Sequence, residues 1–220
     1  MKFTLSNLIL FTGWVLTLPF TSSAQEQNIA KRFYFGVDSG ATWQQPITVK
    51  EKDSLSGSIT REKARFDTGL RLDVADGYQF TDCLAAELEG GLIFNAVRGN
   101  SGNTRFNSEV DDVLHVPFFL NLVGRVPTHT RLKPLLGAGV GGMYTSLESV
   151  GYYFSTSTVD TDLVFAYQGS AGLRYEISRK VELGLAYKYT GTLGHTFDRL
   201  STTTSGDQVH SVLVSVLIRW

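Results

Sequence analysis

The sequence predicts an all-β protein: an eight-stranded antiparallel up-and-down transmembrane β-barrel. Three observations carry that expectation. Apolar residues recur at every second position in segment after segment, the last segment ends on an aromatic residue, and the connections alternate between long and short. Side chains of a strand point alternately to the two faces of a sheet, so a period of two marks one apolar face, whereas a helix would show a period of 3.6.

The chain has 220 residues, a formal net charge of −1, 22 glycines, 5 prolines and 1 cysteine. So balanced a charge gives no reason to expect a nucleic-acid partner, and so apolar a composition argues against disorder. Residues 1–24 read as a secretory signal peptide, with Lys2 as a basic start, an apolar run from Leu8 to Phe20, and small residues at Ser22 and Ala24 before a cut ahead of Gln25. Residues 25–220 then form one barrel domain. With Cys83 alone, no intramolecular disulfide can form, and this residue is expected half-buried at a strand start.

Eight alternating segments follow. The first sets Phe33, Phe35, Val37, Ala41 and Trp43 against Tyr34, Asp38 and Thr42. The second sets Phe66, Leu70, Leu72 and Val74 against Asp67, Arg71 and Asp73; the third sets Leu84, Leu88, Leu92 and Phe94 against Glu87, Glu89 and Asn95. In the fourth, Val116, Phe118, Leu120 and Leu122 oppose Asn121 and Arg125. The fifth runs from Leu132 through Pro134, Leu136, Val140 and Tyr144, opposite Lys133 and glycines 137, 139 and 141. The sixth carries Leu163, Phe165, Tyr167, Leu173 and Tyr175 opposite Gln168, Ser170, Arg174 and Glu176. The seventh carries Val181, Leu183, Leu185, Tyr187 and Tyr189 opposite Glu182 and Lys188, and the eighth carries Val212, Val214, Val216, Ile218 and Trp220 opposite Ser211, Ser215 and Arg219. Across about 47 positions of the apolar parity no charged residue occurs, where a chain that is 19% charged would place about nine. Asp76 departs from the pattern and suggests a bulge there, and Pro117 sits inside the fourth segment, where it removes a ladder hydrogen bond.

Long polar connections fall near 44–63, 95–112, 145–161 and 191–207, and short ones near 75–83, 127–131 and 178–180. In a membrane barrel this places four long loops outside the cell and both termini in the periplasm. Volume assigns the faces. The polar parity mixes long charged side chains with Gly36, Gly40, Gly91, Gly137, Gly139, Gly141, Gly172 and Gly184, as a crowded eight-stranded interior requires. Aromatic residues of the apolar parity gather at segment ends, with Trp43, Phe66, Phe94, Tyr144 and Tyr189 on the loop side and Phe33, Phe80, Tyr175 and Trp220 on the turn side, like two interfacial girdles.

The interior parity carries seven acids (Asp38, Asp67, Asp73, Glu87, Glu89, Glu176, Glu182) and six bases (Arg71, Arg125, Lys133, Arg174, Lys188, Arg219). Buried charges persist when paired, and near balance is what mutual neutralisation requires. The expected lumen network therefore comprises Asp38, Arg71, Glu87, Glu89, Arg125, Lys133, Arg174, Glu176, Glu182 and Lys188, and it reads as a plug rather than a selective pore. Catalysis at the wall would need a His and a Ser two residues apart on one face. None of His115, His129, His195 or His210 has one, although a loop-borne pair of His195 with Asp198 stands as an alternative to a solvated histidine. No catalytic, cofactor-binding or metal-ligating residue is expected, and the chain is read as a non-enzyme.

The run Val116-Pro117-Phe118-Phe119-Leu120-Asn121-Leu122, with Lys133-Pro134-Leu135-Leu136-Gly137-Ala138-Gly139-Val140-Gly141-Gly142, resembles the opacity-type, OmpA-like outer-membrane β-barrel family. Residues 165–175 and 183–189 resemble its sixth and seventh strands. The resemblance implies the outer membrane of a Gram-negative-type bacterium, with outer-membrane lipid, lipopolysaccharide and the barrel-assembly machinery as partners, and an external ligand or host surface reached through the loops. It implies that Trp220, where the family usually has Phe, serves as the assembly signal. The family holds adhesins, envelope-stabilising proteins and small porins. The expected role is structural or adhesive through the four loops, such as the Ser- and Thr-rich stretches 155–161 and 201–205, with a small porin or hydrophobic-solute conduit as the alternative and a lipid-modifying enzyme behind both. A closed barrel resists unfolding in detergent, so the purified chain is expected to shift its gel mobility only after boiling; identical mobility before and after would remove the barrel.

Overall fold

A computed structural model describes residues 32–52, 59–98, 112–150, 157–197 and 202–220, so the signal-peptide reading lies outside the described residues. These form twelve strands: β1 Phe33–Gln44, β2 Ile47–Lys52, β3 Ile59–Phe66, β4 Gly69–Thr81, β5 Leu84–Arg98, β6 Asp112–Arg125, β7 Leu132–Val150, β8 Ser157–Glu176, β9 Val181–Thr192, β10 Thr196–Phe197, β11 Thr202–Thr204 and β12 Gln208–Arg219. Eight of them, β1, β4 to β9 and β12, pair antiparallel in succession. β12 returns to β1 in register from Tyr34↔Arg219 to Gln44↔Val209, which closes the barrel.

The parity of the sequence becomes the two sides of the wall. Leu88 is 67% exposed and its neighbour Glu89 3%; Leu136, Leu120 and Val214 lie outside, whereas Arg71, Asn121 and Ser211 lie within. A soluble fold would not leave so many aliphatic side chains uncovered on one continuous face. The inner wall is apolar only in patches, such as Phe119 with Met143 and Ala166. Short turns at 82–83, 126–131 and 177–180 join the strands at one end.

The connections at the other end are more ordered than their polarity suggests. The one expected near 44–63 contains β2 and part of β3, the one near 191–207 contains β10 and β11, and β7 and β8 pair as far out as Val150↔Ser157. β11 pairs with β2 and β2 with β3, so the first and last connections build one small sheet above the barrel. Alternation such as Ile47-Thr48-Val49-Lys50 was present in the sequence, masked by its charge.

Three local expectations are corrected, and the break in the ladder expected at Pro117 is found. Asp76 marks no bulge: it stays in register between Phe35 and Leu88 and faces outward, while the register shift falls at Gln79/Thr81. Phe66 does not share the face of Leu70. Residues 67 and 68 separate β3 from β4, the partner register slips by one, and Phe66 comes opposite Val97 on the inward parity of β5. Cys83 is exposed in its turn rather than half-buried. Pro117 interrupts the β5–β6 ladder, which carries no pair between Gly90↔Phe118 and Ile93↔His115 yet keeps its register, while Pro117 remains opposite Met143 on β7.

Leu185, midway along β9 and outward-facing, tests the assignment of faces. Leu185→Arg is expected to lower the free energy of folding into vesicles by about 2–4 kcal/mol, read from reversible urea titrations. An unchanged midpoint would place this face in water.

Candidate functional site

The inward side chains sort into tiers along the barrel axis. In the middle tier, Arg71 on β4 has no accessible surface. Its Nε donates to both oxygens of Asp73 at 3.0 and 2.8 Å, its Nη1 to Thr190 at 3.0 Å, and its Nη2 to Glu89 and Gln168 at 3.2 and 3.3 Å. Lys188 on β9 directs Nζ at Asp38, Asp73 and Glu89, at 2.8, 3.0 and 3.0 Å. Gln168 donates to Asn121 at 2.7 Å and Asn121 to Glu89 at 3.0 Å. Six strands thus meet across the lumen, and β7 supplies space instead: a Cβ at Gly139 would collide with the Asn121 amide. Gly91 makes the same room for the Asp73 carboxylate.

The tier nearer the turns is built on Tyr34 and arginines. Tyr34 donates to Glu87 at 2.6 Å, and Arg174 donates to the same oxygen at 3.1 Å. Arg219 grips Glu182 at 2.8 Å through Nε and Nη2, with Arg125 3.6 Å away. The guanidinium carbons of Arg125, Arg174 and Arg219 lie 5.2, 5.7 and 5.6 Å from the Tyr34 ring centre, where the ring face attracts cations. Among the described residues Arg125 Nε and Nη2 have no hydrogen-bond acceptor, so the Tyr34 ring and the Glu182 carboxylate are the groups that face its charge.

Charge balances between tiers rather than within them. Two cations meet three carboxylates in the middle tier (Arg71, Lys188; Asp38, Asp73, Glu89), and three meet two below (Arg125, Arg174, Arg219; Glu87, Glu182). Glu87 and Glu89, two residues apart on β5, bring the tiers within about 7 Å. A cavity of about 20 Å3 remains between them, lined by Asp38, Glu87, Glu89, Arg174 and Lys188, which is room for a water molecule and not for a solute.

Of the residues expected in the network, Asp38, Arg71, Glu89 and Lys188 meet in the middle tier, and Glu87, Arg125, Arg174 and Glu182 below. Lys133 and Glu176 instead pair with each other at the turn-side rim, partly exposed. Asp73 and Arg219 complete the tiers; their parity had marked them as interior. The neutral members Tyr34, Gln168 and Asn121 shared that parity but had no charge to single them out, and Thr190 was not marked. Trp220 is exposed just beyond β12.

A third cluster occupies the loop-side mouth. His195 shares a 2.7 Å hydrogen bond with Asp207, Gln44 donates to Asp207 at 2.9 Å, and His115 lies 3.3 Å from Gln44 and 2.9 Å from Thr145. His195 is buried against Asp207 rather than solvated; the alternative pairing with Asp198 lies outside the described residues. Among the described residues no group of three His, Cys, Asp or Glu could hold a metal ion.

The chain matches the family model for the outer membrane protein beta-barrel domain over residues 12–219. It belongs to that family. Its barrel is of the opacity and OmpA-like type, and no curated protein matches it. Among solved structures, Neisserial surface protein A is 15% identical, with 86% of this chain and 97% of that one covered and a TM-score of 0.56. OprG from Pseudomonas aeruginosa is 16% identical over 86% and 98%, with a TM-score of 0.53. AlkL, solved in lipid bilayers, is 18% identical over 93% and 96%, with a TM-score of 0.52. At such identities the likeness is one of fold.

Burial pushes the Asp207 carboxyl up, but the hydrogen bond from His195, the nearby His115 and the Gln44 amide outweigh it and hold the group below the ordinary carboxylate range. A lowered folded-state pKa contributes stability that is full above the unfolded value, about 4, and is lost as pH falls through the folded one. Amides of residues 193–197 and 202–207 are therefore expected to lose hydrogen-exchange protection, corrected for intrinsic rate, below about pH 4. Asp207→Asn should lower that protection at neutral pH and remove the acid-dependent step; a flat wild-type profile would show that the contact contributes nothing.

Proposed function

We propose that this protein is a non-conducting surface protein of the outer membrane, structural or adhesive in role and without catalysis. The filled barrel anchors and orients the small outer sheet of β2, β3, β10 and β11. The observation that carries the reading is the pair of charge tiers: they cross the lumen from six strands, and the cavity between them has room for a water molecule and not for a solute. A wall held shut at the charged centre leaves binding to the outer connections, which vary with little cost to the barrel. On this reading the partners are outer-membrane lipid and lipopolysaccharide, the assembly machinery that would read the Trp220 end, and an external ligand or host surface.

A second reading is favoured by one feature, the unpaired stretch of the β5–β6 ladder beside Pro117. There a small apolar solute would leave the barrel sideways into the membrane.

Planar-bilayer recording separates the two. The refolded protein is expected to be silent. Arg71→Ala leaves Asp73 and Glu89 without their shared guanidinium, so it should give brief cation-selective steps and lower folding stability by about 3–5 kcal/mol. Steady stepwise conductance of the unaltered chain would overturn the plug. Apolar-solute uptake into vesicles that Pro117→Val abolishes would establish the second reading in its place.

A further inference from the structure

The outer sheet has two unlike faces. In an antiparallel pair, residues directly opposite share a face. Ile47 opposes Ala64 and Val49 opposes Glu62, while Thr204 of β11 comes opposite Val49; Ile47, Val49 and Thr204 are buried. Lys50 opposes Arg61, and Lys63 opposes Thr48 on the other face, which Arg65 continues; Lys50, Arg61, Lys63 and Arg65 are all exposed. Among the described side chains of β2, β3 and β11, that face carries four cations and no carboxylate.

Register fixes which way it looks. Arg65 is paired with position 98 of β5, which has the outward parity of Phe94 and Leu88. The cationic face therefore continues the barrel's lipid-facing wall, and the buried face turns toward the mouth. Position 98 lies four residues beyond Phe94 of the aromatic girdle, about 13 Å along the strand and about 10 Å in height at a tilt of about 40°. Lys63, opposite Thr48, lies a similar distance beyond Trp43. Headgroups begin at the level of the girdle, so this face stands at the outer part of the headgroup layer and just above it.

We propose that the outward face of β2 and β3, through Lys50, Arg61, Lys63 and Arg65, binds the phosphate groups of lipopolysaccharide in the outer leaflet beside the barrel. The occupant is a membrane-held phosphorylated glycolipid rather than a free polyanion because the face looks along the membrane plane. Phosphate meets a stripe of exposed cationic donors, and each cation near an anionic membrane surface adds attraction. The inference rests on the outer-membrane setting of the proposed function and on nothing it says about the lumen.

The test uses the full refolded chain and the quadruple variant K50Q/R61Q/K63Q/R65Q, titrated calorimetrically in detergent with lipopolysaccharide, with the same glycolipid stripped of its phosphates, and with heparin. The quadruple variant and the stripped glycolipid are each expected to weaken binding at least tenfold. R179Q/K180Q, at the exposed turn between β8 and β9, should stay within twofold of the unaltered chain. Equal binding by the quadruple variant, equal loss in the turn variant, or heparin bound more tightly than lipopolysaccharide would each overturn the proposal. If the quadruple variant loses its heat-dependent mobility, K63Q and R65Q decide singly: a severalfold loss in either supports the site, and no loss in both overturns it. Bilayer conductance has no bearing on any of these outcomes.

Discussion

Hydrocarbon offers a backbone amide nothing to bond with. Every N–H and C=O within the membrane has to be met inside the protein, so the sheet must return on itself. Closure then dictates the rest. With the wall continuous from β1 round to β12, each strand has one side in lipid and one in the lumen, and the alternation of Leu88 with Glu89, or of Leu70 with Arg71, is the record of that division.

An interior built from alternate residues of eight strands is too narrow to stay empty and too polar to pack like a soluble core. The chain fills it with ions arranged so that an excess on one level faces the opposite excess on the next. Lys188 illustrates the economy of donors: its three protons meet three carboxylates from three strands. Where long side chains cross, the facing wall must recede, which is why β7 presents Gly139 toward Asn121. Arg125 is held differently: it faces the Tyr34 ring and lies 3.6 Å from Glu182, so in this tier the ring's quadrupole acts beside the ion pairs.

Much of the barrel was legible in the sequence because a period of two is a local property that survives without knowledge of neighbours. The eight segments, the sidedness of Arg71, Glu87, Glu89 and Lys188, and the pairing of the first segment with the last follow from parity and closure. Partner choice does not. Nothing local says that Lys133 meets Glu176 at the rim while Arg174 reaches past it to Glu87, since both depend on shear between strands. The slip that turns Phe66 inward depends on two residues without regular pairing, and a single such step inverts every later side chain. The strands β2, β3, β10 and β11 escaped notice because a sheet standing above the membrane needs only one apolar side, and its other side reads as an ordinary hydrophilic loop.

The seam between β1 and β12 joins parts of the chain that are far apart in sequence; Ser211 donates to Thr42 across 169 residues. Seven hairpin-like pairings can form between neighbours as they emerge, but this one waits for the whole polypeptide. Until then the first strand and the last each present a bare edge of unpaired amides, open to any other extended chain nearby. Of the barrel's eight pairings, this one closes the longest loop, and contact order makes it the slowest to form.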